Sequence, residues 1–182
     1  MPVKPASFAA RSTTFAPGRV RRAVLTAILL VGLAGPALAR ENLGMFGEWG
    51  AFKDPTVPRC YAIAKAIPSK LRRDYEPYAT IGTWPKRGIR NQVHFRMSRK
   101  MAGDPRLILR IGGERFELTG GGGDAWAVDK RMNAAIVAKL RSASSVTVLA
   151  RGADGKGFSN TWNLNGVASA MDAAAIGCAK AR

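Results

Sequence analysis

The chain has 182 residues, 29 of them lysine or arginine against 12 acids, for a net charge of +17. A field of that sign attracts anionic surfaces, polymers or membranes and says nothing about fold. Two distant cysteines and a single histidine exclude a tetrahedral zinc site assembled from local ligand pairs.

The N-terminal segment places Arg11, Arg19, Arg21 and Arg22 ahead of an apolar run from Ala23 to Ala34, followed by Ala37-Leu38-Ala39. Basic front, apolar middle and small-x-small end form the pattern of a secretory signal, here expected to be cleaved after Ala39. A membrane span needs about 20 apolar residues, and this run reaches twelve before Gly35-Pro36 interrupts it. Val20 stands where a twin-arginine signal carries Ser or Thr before its arginine pair, so ordinary secretion is expected. Residues 1–39 are therefore read as a signal and residues 40–182 as one exported domain, periplasmic or secreted. Its 143 residues are enough to enclose a hydrophobic core. Lys4 and the four arginines leave with the signal, so 24 basic groups face 12 acids, a net +12.

Along residues 40–182, short apolar runs alternate with turn residues, the pattern of a mostly antiparallel β protein. Met45 to Phe52 and Cys60 to Ala66 read as a first strand pair joined across a loop whose Pro55 and Pro58 cannot donate to a ladder. Pro68, Pro77 and Pro85 break the next stretch, leaving a short strand around Ala79 to Thr83. From Ile89 to Met97, Val93, Phe95 and Met97 alternate with Gln92, His94 and Arg96, so one face is apolar and the other cationic. Arg106 to Ile111 repeats the arrangement, and Gly112-Gly113 is a hairpin turn into Arg115 to Leu118.

Thr119 to Asp124, with Gly120 to Gly123 at its centre, reads as a loop; it lacks the lysine-serine ending of a phosphate-binding P-loop. After a further strand expected over Ala125 to Val128, Asp129 is placed to cap a helix carrying Met132, Ile136 and Leu140 on one face. Ser145 to Ala150 and Phe158 to Leu164 are strands around Gly152-Ala153-Asp154-Gly155. Asn165 is placed to cap a C-terminal helix from Val167 to about Ala179. The expected fold is an antiparallel β-sandwich or barrel-like single domain, mostly β with two helices, the C-terminal one packed on the sheet.

In that last helix Val167, Met171, Ala174 and Cys178 share a face. On the strand at Cys60, the small side chains Ala62 and Ala64 share its side and leave room for an alanine-rich helix. Two cysteines in an exported chain are expected to pair, Cys60 with Cys178. A catalytic thiol would need His94 as its base and would have to avoid that pairing. The carboxylates are scattered without an acid/base pair, no Gly-x-Ser-x-Gly is present, and no cofactor or metal is implied. An enzyme is not expected; the alternative reading is a small periplasmic hydrolase using carboxylates or His94.

The densest charge lies in residues 86–115, where nine basic residues face only Asp104 and Glu114. If the strands there pair as a hairpin across Ser98 to Pro105, Arg90, Arg96, Arg106 and Arg110 line one basic sheet face. Guanidinium forks bind phosphate or carboxylate at two points. The expected partner is an anionic envelope or host component, lipopolysaccharide, anionic lipid or glycan, rather than nucleic acid, with no membrane-spanning helix in the exported chain. Trp126 and Trp162 are expected in the core, and Trp84, in the proline-broken segment, is the candidate for an exposed ring.

The signal, the opening GEWGAFKDPTVPRCYAIAK and the closing NTWNLNGVASAMDAAAIGC together resemble the invasion-associated locus B family of alphaproteobacterial exported proteins. Trp49, Cys60, Leu164 and Gly166 take the places of that family's early tryptophan and cysteine and of the turn before its terminal helix. The additional central cysteine pair of many members is missing here. The resemblance implies an exported, non-enzymatic protein linked to the envelope or to host-cell interaction, with no catalytic residues to carry over.

Overall fold

The computed structural model describes residues 39–179; the signal expected over residues 1–39 lies, apart from Ala39, outside them. Ten strands and two helices follow one another: β1 (Glu41–Phe46), β2 (Trp49–Asp54), β3 (Arg59–Lys65), β4 (Tyr78–Trp84), β5 (Ile89–Arg96), β6 (Leu107–Ile111), β7 (Glu114–Gly121), β8 (Asp124–Trp126), α1 (Lys130–Leu140), β9 (Ser145–Arg151), β10 (Gly157–Asn163) and α2 (Val167–Ala179). The architecture is antiparallel β throughout, in the order β1-β2-β3-β4-β5-β8-β7-β6-β9-β10. The single strand expected over Met45 to Phe52 is instead two strands turning at Gly47-Glu48.

β7 belongs to two sheets. Its residues Glu114 to Leu118 pair with β6, and Thr119 to Gly121 pair with β8. The first sheet runs from β1 through β5 and β8 to the tail of β7; the second joins the head of β7 to β6, β9 and β10. The change of partner falls between Leu118 and Thr119; at Gly120, the second residue of the β8 ladder, any Cβ would run into the carbonyl oxygen of Asp124. The glycine run is therefore partly strand: Gly120 and Gly121 complete the ladder, and Gly122, at φ 65°, makes the turn.

Alternation along the strands sends one side of the sheets inward. Ala62 stands opposite both Ala51 and Ile81, and Ile81 opposite Val93, so a buried row crosses β2 to β5. From the second sheet, Leu107, Leu109, Val146, Val148 and Trp162 are buried against it. The rings of Phe95 and Trp162 meet with centroids 5.2 Å apart, and the Trp49 indole Nε1 donates to the Asn163 carbonyl at 2.9 Å. Burial of each such Val, Leu or Phe stabilises by about 1.5–3 kcal/mol.

α1 begins where Asp129 accepts the Met132 amide at 2.7 Å, and it buries Ile136 and Leu140. Asn133 then clamps β5: its Oδ1 accepts the Val93 N–H and its Nδ2 donates to the Asn91 carbonyl, both at 2.9 Å. Those groups lie past the end of the β5–β8 pairing, which stops at His94, and next to the shift of the β4–β5 register between Gly82 and Trp84. Asn91 holds φ 50° there, a conformation that asparagine tolerates better than most residues.

α2 lies on β1, β2, β3 and β4. It buries Val167, Ala170, Met171, Ala174, Gly177 and Cys178, and Ala51, Ala62 and Ala64 are small enough to let it approach. At Gly177 a Cβ would press into the Leu43 side chain of β1. Entry to α2 is made by Gly166 rather than by the cap expected from Asn165. Gly166 has φ 88°, its carbonyl accepts the Ala170 N–H at 3.0 Å, and a Cβ there would strike the Phe46 carbonyl oxygen. The Asn165 carbonyl instead accepts the Glu48 N–H.

Cys60 and Cys178 form a disulfide with Cα atoms 5.7 Å apart and 118 positions apart in sequence. Closing a loop of that length restricts the unfolded chain by up to about 4–5 kcal/mol. Cys178→Ser is expected to lower the urea midpoint by an amount corresponding to several kcal/mol, about 2–5, with loss of hydrogen-exchange protection greatest in α2. An unchanged midpoint in the oxidised comparison would contradict this role.

Candidate functional site

The four arginines expected on one face are not together. β5 pairs with β4 and β8, whereas β6 pairs with β7 and β9, so the hairpin expected across Ser98 to Pro105 does not form. Two strands and a change of sheet separate Arg96 from Arg110. The register shift around Asn91 also breaks the alternation, so Arg90 and Arg96 do not share a face. Arg90 lines a small cavity of about 260 Å³ with Thr83, Asn91, Ala175 and Cys178, beside the end of α2.

Arg96 lies on the outer face of the first sheet and is already partnered. Its guanidinium forms an ion pair with Asp124 and sits 3.9 Å from the centre of the Tyr75 ring. The other oxygen of Asp124 is 2.9 Å from His94 Nε2. His94 in turn stacks on Trp126, with centroids 5.1 Å apart, and meets Tyr78 edge-on at 5.7 Å. Burial pushes the Asp124 carboxyl up, but hydrogen bonds from Arg96 and His94, reinforced by their charge, outweigh it and hold the group below its ordinary value. Trp126 is therefore half-buried on this outer face rather than in the core, while Trp162 is fully buried. Trp84 is half-buried too, with the Arg59 guanidinium 5.9 Å from its ring.

Arg106 and Arg110 do come together, on the outer face of the second sheet. The buried alternates Leu107, Leu109, Ile111, Leu118, Val146, Val148 and Ala150 send the intervening residues of β6, β7 and β9 outward. Arg110 stands directly opposite Arg115 on one side and Thr147 on the other. Arg106, Arg110, Arg115 and Arg151 thus share this face, with Glu117 as the carboxylate among them. Arg106 reaches Glu117 only at 3.9 Å, with both side chains largely exposed, a weak pair. Arg151 donates to the Gly155 carbonyl. Neither Arg110 nor Arg115 is in an ion pair among the described residues.

Arg115 and Arg151 were missed by the sequence reading, although one of them was within reach. A two-residue turn at Gly112-Gly113, both with positive φ, sets Ile111 against Glu114 and hence Arg110 against Arg115. Arg151 depends on the long-range β6–β9 pairing, which no local pattern announces.

Among the described residues no group of three or more His, Cys, Asp and Glu is placed to hold a metal, and no helix is long and apolar enough to cross a membrane. No protein-family model matches the chain, and neither a curated protein nor a solved structure is significantly similar to it.

Because the Asp124 carboxyl is held below its ordinary value, its contribution to stability is full above about pH 4, the unfolded carboxylate range, and is lost as pH falls through the lower folded value. Asp124→Asn is expected to be less stable than the parent at pH 7, with the difference shrinking below about pH 4. Denaturant titrations at pH 7, 4 and 2.5 check this; a difference independent of pH would contradict it.

Proposed function

We propose that the protein is an exported, non-enzymatic component of a cell envelope, similar to the invasion-associated locus B proteins, and that it binds an anionic partner. The partner is an envelope or host-surface component presenting phosphate or carboxylate, such as lipopolysaccharide, anionic lipid or glycan. The binding surface is the outer face of the second sheet. The observation that carries this reading is the direct opposition of Arg110 and Arg115, with no carboxylate among the described residues paired to either.

Like charges placed directly across a strand pair are unfavourable in the free protein. A phosphate or carboxylate group bridging the two guanidinium forks relieves that repulsion and gains paired, charge-assisted hydrogen bonds. On the first sheet the same chemistry is already satisfied internally, since Asp124 occupies Arg96. Export is supported by the signal pattern of residues 1–39 and by the disulfide, which belongs to an oxidising compartment. The non-enzymatic reading is supported by both cysteines being spent in that bond and by Asp124 being held between Arg96 and His94.

Two double variants of equal charge separate a specific face from bulk charge. Arg110→Gln/Arg115→Gln is expected to lose about 2 kcal/mol, roughly thirtyfold, in partition onto anionic vesicles at low salt, and to elute earlier from heparin. Arg90→Gln/Arg96→Gln should lose much less. Equal losses from the two pairs, or no loss from the first, would sink the proposal. Binding by the parent should weaken steeply as ionic strength rises.

A further inference from the structure

Between β3 and β4 the chain folds over the free side of β10 and encloses a cavity of about 430 Å³. It is pinned at both ends: the Ile67 N–H donates to the Thr161 carbonyl at 2.8 Å, and the Asp74 and Tyr75 N–H groups both donate to the Ser98 carbonyl. The apolar wall includes Ile67, Pro68, Leu71 and Phe158. Ile67 and Leu71 remain 51% and 64% exposed, so the loop holds large aliphatic side chains at the cavity without burying them.

The polar side is almost entirely donor in character. Asn160 lines the cavity and is only 4% exposed. Its Oδ1 accepts the Ser98 N–H at 2.9 Å, which fixes the amide so that Nδ2, a double donor, has no partner among the described residues. Lys65 also lines the cavity and has no carboxylate partner among the described residues. The other charges are neutralised: Arg73 pairs with Glu76, and Arg99 pairs with Asp154. One uncompensated cation, an amide donor left free to face the cavity and the Ser98 and Ser159 hydroxyls thus stand beside an aliphatic wall.

The geometry points to a binding site for a small amphipathic carboxylate. Its head would be held by Lys65 and the Asn160 amide, and its hydrocarbon body would cover Ile67 and Leu71. The single net positive charge favours a monoanion over a phosphate dianion, and an aliphatic wall with few placed polar groups is the usual make-up of a small-molecule site. This site is separate from the Arg110–Arg115 face and does not depend on it.

Titration calorimetry of octanoate into the oxidised, full-chain protein tests the assignment, with 1-octanol as the uncharged probe of the same length. Octanoate is expected to bind saturably at one site, and octanol about tenfold or more weaker. Asn160→Asp keeps the acceptor for Ser98 but replaces the donors with a like charge; Lys65→Met removes only an exposed cation and leaves the fold intact. Each should weaken octanoate by about tenfold or more, while Arg110→Gln/Arg115→Gln should bind it as the parent does. Absence of saturable heat, equal affinity for octanol, or parent-like binding by Lys65→Met would overturn the site, whatever the stability of Asn160→Asp.

Discussion

The arrangement of the whole domain depends on β7 pairing with two different neighbours along its length. Its head is held by β6 and its tail by β8, with the change of partner between Leu118 and Thr119, and the β8 pairing beyond it requires a residue without a side chain at Gly120, where a Cβ would meet the Asp124 carbonyl. That single strand fixes which side chains become neighbours. It carries β6 away from β5 and so divides the arginines of residues 86–115 between two outer faces. On the first, Arg96 is absorbed by Asp124, His94 and Tyr75. On the second, Arg106, Arg110, Arg115 and Arg151 gather around one glutamate.

A surface with this excess of positive charge repels itself and costs stability. The interior compensates through the aromatic contact of Phe95 with Trp162, and through α2, whose alanines and Gly177 let it settle onto β1 to β4. The disulfide then joins the second-to-last residue of α2 to the second residue of β3, so the last element of the fold is held by one of the first. Such a staple secures the fold without asking the arginines to pair internally.

Much of the architecture was legible in local pattern. Alternation placed β5, β6, β9 and β10; Gly112-Gly113 placed the β6–β7 turn; Asp129 placed the start of α1; and the spacing of Val167, Met171, Ala174 and Cys178 placed the buried face of α2. The disulfide followed from the cysteine count and the expected export of the chain. What failed was long-range pairing. The segment Ser98 to Pro105 looks like a hairpin connection, yet it joins strands of different sheets, because β8 carries the Asp124 and Ala125 that complete the edge of β5. Trp126 was misplaced for the same reason: its three-residue strand pairs with β5 in a register that sends the ring outward onto His94. The departure at Asn91 is local, but the side chain that compensates for it, Asn133, lies 42 residues away.

Hydrogen-exchange footprinting on anionic vesicles tests most directly whether the second sheet presents the working face. Bound protein should gain protection in β6, the head of β7 and the end of β9, around Arg106, Arg110, Arg115 and Arg151, while the Pro85–Arg87 turn and the strand carrying Arg96 exchange as they do in the free protein. Protection concentrated on β4 and β5, or spread evenly over every basic segment, would contradict the division of charge that β7 imposes.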